Sequence, residues 1–233
     1  MKFTIIYLLL FPCSFFSQVW KDNKIGINSN VPKPWAALEI HQSNSSVSVK
    51  CWGRTYIFSG KSLIDQIISK GELLLSKPIE FSLNDNKTVW QPGSIKIINQ
   101  TQNQVTLEIN SKTYLNGVKI SQNVTADIYY DGLIYFNTKI LTDKEISKNI
   151  KLELNVNQTL ARYINRFANP SSENKASWKS GNYEKDASAY IPYWWIGDTE
   201  KGLFWFAESP ESWRDYEKKD AIEFNELNNG EAQ

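Results

Sequence analysis

A dense block of aromatic residues near the end of the chain carries the clearest chemical signal. Residues 190–198 read Tyr-Ile-Pro-Tyr-Trp-Trp-Ile-Gly-Asp and residues 202–208 read Gly-Leu-Phe-Trp-Phe-Ala-Glu, with a further Trp at 213. Flat aromatic faces beside polar groups suit the C–H faces of sugar rings, although alternate residues of such strands more often pack a core. Neighbouring strand residues point to opposite faces, so one of two adjacent tryptophans should leave the core. The candidate substrate-binding residues are Trp194, Trp195, Asp198 and Trp213.

Most other reactive constellations lack the residues that they need. One histidine, His41, and two cysteines, Cys13 and Cys51, cannot form a zinc cluster. A Ser-His-Asp triad would rest entirely on His41, for which a structural role is the simpler interpretation. The sequence contains no phosphate-binding glycine loop. We therefore predict no cofactor and no metal site.

Acidic residues near predicted turns keep two alternatives open. A calcium site would use carboxylates, and the candidates are Asp127, Asp131, Asp198 and Glu200. A glycosidase would use a carboxylate pair, for which Glu208 with Glu211, or Asp198 with Glu200, are the candidates. The simpler interpretation is that Asp131 forms a turn and that Asp198 and Glu200 are solvated loop charges. No catalytic residue is therefore assigned.

Composition excludes several classes of partner and of fold. The chain has 233 residues, 26 Lys plus Arg and 25 Asp plus Glu, with a formal net charge of +1. This balance argues against nucleic acid or an anionic membrane held by bulk charge. Aromatic residues make up 13% of the chain, a larger share than disordered proteins contain. The length suits one full-size core or two small ones.

The first 18 residues have the pattern of a secretory signal peptide. Lys2 gives a positive start, residues 5–11 are apolar, and the small Ser14 and Ser17 precede a cleavage point near Ser17 or Gln18. A lipoprotein would acylate Cys13, but Phe11-Pro12 is a poor context for that reaction. We expect a secreted or periplasmic protein with no membrane contact after cleavage. Cys51 would then be the only cysteine, which we interpret as a buried strand residue.

The remaining chain, 19–233, reads as an all-β domain. Alternating or β-branched runs predict strands at 46–58, 72–83, 95–98, 104–109, 117–130, 133–141, 151–157 and 202–208. Asp131-Gly132 between two such runs predicts a hairpin with a type I′ turn. Residues 62–70 fit either a short helix or an irregular strand entry, and residues 165–189 read as a long loop. Strands at about ten-residue spacing favour a β-sandwich.

Four segments, in this order, carry a family resemblance. They are 51–58 (Cys-Trp-Gly-Arg-Thr-Tyr-Ile-Phe), 71–79 (Gly-Glu-Leu-Leu-Leu-Ser-Lys-Pro-Ile), 131–135 (Asp-Gly-Leu-Ile-Tyr) and 195–209 (Trp-Ile-Gly-Asp-Thr-Glu-Lys-Gly-Leu-Phe-Trp-Phe-Ala-Glu-Ser). The set resembles the N-terminal region of secreted bacterial proteins similar to glycoside hydrolase family 123. The last segment is the most specific, because several aromatics and glycines must match together.

The resemblance implies a fold and an activity. Such proteins have an N-terminal sandwich, similar to the supersandwich of galactose mutarotase-like domains, followed by a catalytic (β/α)-barrel. The family hydrolyses N-acetylgalactosaminide bonds with an Asp-Glu pair in that barrel. The pair has no counterpart in this chain, so any glycosidase activity would belong to a longer protein. We therefore expect a supersandwich-like domain that is incomplete at its C-terminus.

The expected partners are carbohydrate and the missing barrel. The expected function is a non-catalytic domain that supports the barrel and the substrate cleft. The alternatives are a free-standing carbohydrate-binding module and a cell-surface structural sandwich. An unpaired sheet edge would make the fragment poorly soluble.

Overall fold

The computed structural model describes residues 30–83, 88–146, 149–168, 177–182, 186–188, 193–209, 211, 213, 221–225 and 231–232. Of residues 167–168, 177–182, 186–188 and 231–232, the backbone alone is described. The signal peptide predicted at 1–18 lies outside these residues. Strands are the only regular secondary structure in the described ranges, which confirms the all-β prediction.

The described ranges contain nineteen strands. They are β1 (Glu39–Gln42), β2 (Val47–Cys51), β3 (Arg54–Phe58), β4 (Gln66–Ser69), β5 (Glu72–Leu73), β6 (Glu80–Leu83), β7 (Gln91–Gln100), β8 (Gln104–Leu115), β9 (Val118–Tyr129), β10 (Ile134–Thr142), β11 (Ile150–Glu153), β12 (Val156–Asn157), β13 (Tyr163–Ala168), β14 (Ser177–Asn182), β15 (Asp186–Ser188), β16 (Tyr193–Gly197), β17 (Gly202–Phe206), β18 (Ile222–Phe224) and β19 (Glu231–Ala232).

Three larger sheets dominate the fold, and their strands pair antiparallel throughout. A five-stranded sheet has the order β1-β2-β3-β4-β5, and a four-stranded sheet has the order β10-β9-β8-β7. A second four-stranded sheet has the order β14-β13-β16-β17. Three two-stranded ladders pair β11 with β6, β12 with β19 and β15 with β18. Sequential neighbours in the first two sheets make both of them meanders.

One hydrophobic cluster joins the three larger sheets. It contains Val49 and Phe58 from the five-stranded sheet, Leu107 from β8, and Trp194 and Ile196 from β16. A side chain from each sheet therefore reaches the same interior, which is the arrangement of a β-sandwich. A smaller cluster of Leu83, Trp90 and Ile120 lies under β6 and β9.

The longest hairpin, β8–β9, shows why alternation identifies a half-buried sheet. Val105, Leu107 and Ile109 on β8 are fully buried, while Glu108 and Lys112 between and beyond them face outward. Since strand side chains alternate between faces, this pattern puts the aliphatic row on the core. The predicted strand 104–109 is confirmed and runs further, to Leu115.

Two turns in this sheet have different chemistry. The predicted hairpin at Asp131-Gly132 is present, but Gly132 has a φ of 91° and Asp131 does not have a positive φ, so the type I′ prediction is wrong. Gly132 N–H donates to Tyr129 O at 2.9 Å, which fits a three-residue loop ending in a left-handed glycine. The two-residue turn with both φ positive is Asn116-Gly117, at 51° and 78°, between β8 and β9.

Two predictions about local structure are corrected. The helix alternative for 62–70 is wrong, because Ile64 forms a bridge to Ile79 and β4 begins at Gln66. Leu63, Ile64 and Ile67 are all buried, so an irregular chain satisfies the same apolar spacing. The long loop predicted at 165–189 is also wrong, because β13, β14 and β15 run through it.

No helix in the described ranges has the length and apolar character needed to cross a membrane.

Candidate functional site

The sheet formed by β14, β13, β16 and β17 carries Trp194 and Trp195 on β16, and Asp198 lies in the turn between β16 and β17. In the β16–β17 hairpin, Trp194 pairs with Trp205, and Trp195 pairs with Phe204. Directly paired residues of antiparallel strands project from the same face. The two adjacent tryptophans therefore lie on opposite faces, each opposite an aromatic partner.

The inner face of this sheet is a stack of aromatic rings. Trp194 is 8% exposed and stacks on Trp205, with ring centroids 5.7 Å apart and 17° between the planes. Trp213 meets Trp205 edge-on at 5.4 Å, and Phe224 meets Trp194 edge-on at 5.9 Å. The Arg166 guanidinium lies 5.5 Å from the centre of the Phe224 ring. Trp194 and Trp213 thus belong to one continuous layer on the core side.

The outer face is also aromatic. We call Tyr193, Trp195, Phe204 and Phe206 the aromatic sheet face. Phe204 is 61% exposed and lies 6.3 Å from Tyr193 and 6.1 Å from Phe206, centroid to centroid. These contacts make a row of tilted rings along two neighbouring strands. A sheet with aromatic side chains on both faces differs from one that turns a polar face to water.

The Trp195 indole packs directly over two glycines. Gly197 and Gly202 pair directly across the hairpin, and a Cβ atom on either one would overlap the Trp195 indole. The ring is therefore held close to the backbone. Asn165 on β13 pairs with Trp195, and its Oδ1 atom is buried without a hydrogen-bond partner in the described part of the chain. The half-buried indole and the Asn165 side chain therefore project from one face of the sheet.

Asp198 shapes the turn that closes this hairpin. Its Oδ1 accepts hydrogen bonds from the backbone N–H of Glu200 at 2.7 Å and of Lys201 at 2.8 Å. The bond from Glu200 is the largest cause that lowers the pKa of Asp198 below its usual range. The carboxylate therefore fixes the turn 198–201, as aspartate does in many turns.

This turn is tied to the five-stranded sheet by two ion pairs. Lys70 Nζ lies 2.8 Å from Glu200 Oε2, and Lys201 Nζ lies 2.8 Å from Glu72 Oε2. Lys70 N–H in turn donates to Gly53 O at 3.2 Å. We call the turns 52–53, 70–71, 130–132 and 198–201 the turn cluster.

The remaining turn of the cluster, 130–132, is held by side chains of β3. Arg54 Nη2 donates to Asp131 O at 2.9 Å, and the Tyr56 hydroxyl donates to Gly132 O at 2.9 Å. A Cβ atom on Gly132 would overlap the Arg54 guanidinium, so only glycine fits there without a shift. Burial raises the pKa of Tyr56 and keeps its donating proton in place.

Cys51 and His41 both lie in the five-stranded sheet. Cys51 is 2% exposed on β2, which confirms the buried-strand interpretation. Burial raises the pKa of its thiol, so the unreactive protonated form is favoured. His41 is exposed on β1, at the edge of the five-stranded sheet.

The acidic candidates do not form a common site. Asp131 Oδ1 accepts from Leu133 N–H at 3.0 Å, and Asp127 Oδ1 accepts from Thr106 Oγ1 at 2.6 Å. Glu208 Oε2 accepts from the Tyr135 hydroxyl at 3.0 Å. Within the described residues, His, Cys, Asp and Glu form no group of three that could hold a metal ion.

Several residues were missed by sequence reasoning. Phe204 and Phe206 alternate with Leu203 and Trp205, and this alternation already indicated aromatics on both faces. Trp52, in the turn between β2 and β3, is 53% exposed. The neighbouring Gly53 was its sequence signal, since a glycine in a strand run often marks a turn.

The antiparallel sheets and their shared core define a β-sandwich domain. Residues 41–231 match the family model described as glycoside hydrolase 123, third domain, and the chain belongs to that family. A search of curated proteins gave no match. The four segments that carried the resemblance, 51–58, 71–79, 131–135 and 195–209, each contribute a contact to the turn cluster.

Proposed function

We propose that this chain is the non-catalytic β-sandwich domain of a secreted glycoside hydrolase-like protein that acts on polysaccharide or amino-sugar glycans. It supports a catalytic barrel and contributes the aromatic sheet face to the substrate cleft. Family membership supports the glycosidase setting. We assign no catalytic residue to the chain, because the resemblance places the reacting carboxylates in the barrel.

The observation that carries this proposal is the aromatic sheet face itself. Phe204 and Phe206 are 61% and 42% exposed, on a sheet whose other face is already covered by the core. Exposed aromatic side chains that touch one another mark contact surfaces more often than random surface positions do. The surface therefore suits either a sugar ring or the wall of a neighbouring domain.

Trp195 is the best-placed sugar contact. Its indole rests on Gly197 and Gly202, so little freedom remains to be lost when a ligand binds. Asn165 pairs with Trp195 on the neighbouring strand, so its polar side chain projects from the same face of the sheet. Asp198 holds the closing turn, while Trp194 and Trp213 support the hairpin from the core side.

The test is a thermal melt of the purified protein with and without N-acetylgalactosamine-containing oligosaccharides. A ligand that binds the native state raises the melting temperature. We expect a rise in wild type and none in Trp195→Ala. Tyr114→Ala is the matched control, because Tyr114 is 54% exposed at the end of β8 in another sheet.

Two results would contradict the proposal. No rise in wild type would remove sugar binding from the function of the chain. An unchanged rise in Trp195→Ala would move the sugar contact away from the aromatic sheet face.

A further inference from the structure

A second group of aromatic residues lies at the turn cluster. Trp52 occupies the β2–β3 turn, and Trp35 meets it edge-on at 6.3 Å between ring centroids and 70° between planes. Trp35 also meets Tyr130 edge-on at 5.8 Å and 79°. Three rings from three separate segments thus converge, and we call them the tip aromatics. Trp52 is the most open, at 53% exposure.

Backbone hydrogen bonds hold the segments that carry these rings. Tyr130 N–H donates to Asn103 O at 3.0 Å, and Trp35 N–H donates to Pro32 O at 3.0 Å. Gly53, next to Trp52, accepts from Lys70 N–H at 3.2 Å and has a φ of 75°. The exposed indole therefore stands on a fixed turn. A rigid aromatic binds with a small loss of conformational freedom.

Two cations that fasten the turn cluster, Lys70 and Arg54, already have partners within the protein. Lys70 is paired with Glu200 at 2.8 Å, and Arg54 donates to the backbone oxygen of Asp131 at 2.9 Å. Both cations are thus engaged by groups of the protein, Lys70 by a carboxylate and Arg54 by a backbone oxygen. Such a surface does not favour a phosphate or a sulfate, which needs an excess of cationic donors. It suits an uncharged ligand with flat apolar faces and hydroxyl groups.

The turn cluster joins the tip aromatics to Trp195. The Trp195 indole lies on Gly197 and Gly202, which flank the turn 198–201. That turn is bonded to Lys70, and Lys70 N–H is bonded to Gly53 beside Trp52. The two groups of aromatic residues are therefore connected through turns that are bonded to one another.

We propose that Trp52, Trp35 and Tyr130 form a second contact site for an uncharged glycan, so that the domain binds an extended oligosaccharide more tightly than a single sugar. This inference rests on the proposed function, since it assumes that Trp195 contacts the same class of ligand. Two linked contacts raise the affinity for any chain that reaches both of them. A monosaccharide occupies one site and gains nothing from the second.

The test compares the N-acetylgalactosamine monosaccharide with N-acetylgalactosamine-containing oligosaccharides of increasing length, by calorimetric titration of the purified protein. We expect Trp52→Ala to weaken oligosaccharide binding by about tenfold, which corresponds to about 1.4 kcal/mol. Monosaccharide binding should stay at the wild-type level. Trp52→Phe keeps a ring and should retain most of the affinity, and Tyr114→Ala is the surface control.

The outcomes separate this inference from the proposed function. Equal oligosaccharide affinity in wild type and Trp52→Ala would overturn the second site. Weaker oligosaccharide binding in Trp52→Ala, with unchanged binding in Trp195→Ala, would support the tip aromatics as a glycan contact. It would reject the aromatic sheet face as one. A change in sedimentation of Trp52→Ala, without a change in glycan affinity, would assign the surface to self-association and overturn the inference.

Discussion

The β8–β9 hairpin and the β16–β17 hairpin differ in the side chains that they place on the outer face of the sheet. Strands β8 and β9 have 12 residues each, with aliphatic residues such as Ile109 on the core and polar residues such as Glu108 facing outward. Strands β16 and β17 have five residues each. They place Trp194 and Trp205 on the core but also Trp195 and Phe204 outside.

The difference separates scaffold from contact surface. An antiparallel sheet with one polar face is complete once its apolar face is buried. A hairpin with aromatics on both faces keeps apolar area in contact with water, and that area is available for a partner. The short hairpin thus contributes less to the core and offers more to a ligand.

The largest contrast is expected in stability. Ile109→Ala should lower the free energy of unfolding by about 3 kcal/mol, because it removes fully buried atoms and leaves a cavity. Phe204→Ala should change it by less than about 0.5 kcal/mol, since most of the ring is already exposed. Urea unfolding at one temperature measures both. A loss above about 2 kcal/mol in Phe204→Ala, as expected for a buried side chain, would show that Phe204 contributes to the core as Ile109 does.

A smaller contrast concerns glycines in the two hairpins. Gly117→Ala should cost about 1 kcal/mol, because Gly117 has a φ of 78° and the new methyl group meets open space. Gly202→Ala should instead displace the Trp195 indole, which the methyl group would overlap. The readouts are urea unfolding and the Trp195 indole N–H resonance. An unchanged chemical shift in Gly202→Ala would show that the position of the Trp195 indole does not depend on Gly202.

The smallest expected effect is a titration in the turn 198–201. The hydrogen bond from Lys70 lowers the pKa of Glu200, so this contribution to stability is present above the unfolded-state pKa and is lost as pH falls through the folded-state pKa. Both side chains are exposed, so the effect on stability is small. NMR titration of Lys70→Gln should show the Glu200 midpoint moving upward.

Asp198 provides the control for that titration. Its pKa is lowered first by the backbone N–H of Glu200, so it should keep its midpoint in Lys70→Gln. Equal shifts of both carboxylates would mean that Lys70 holds the whole turn rather than Glu200 alone.

The alternating strands could be predicted from the sequence, and the reason is local. The runs 117–130 and 133–141 each present one apolar face, and β9 and β10 follow them within a residue or two. The failure at 62–70 has the opposite cause. Leu63 and Ile64 exchange backbone hydrogen bonds with Ile79, a residue outside the run. The apolar spacing in 62–70 resembles that of a helix, but this pairing fixes an extended chain.

The candidate site could be predicted only in part. Alternation correctly separated Trp194 from Trp195, because this is a property of any strand. It could not show that Lys70 meets Glu200, since 130 positions separate them, or that Arg54 meets Asp131, since 77 positions separate those. The role of the four resemblance segments as one cluster of turns therefore emerges only in three dimensions.

The contact between Arg54 and Gly132 limits how this sequence can drift. A side chain at 132 would occupy the space that the guanidinium fills, and a shorter side chain at 54 would leave the Asp131 carbonyl without its donor. The guanidinium can shift to make room, but the φ of 91° strains any side chain at 132 whatever residue stands at 54. Among related chains, we therefore expect glycine to be kept at 132 more strictly than arginine at 54.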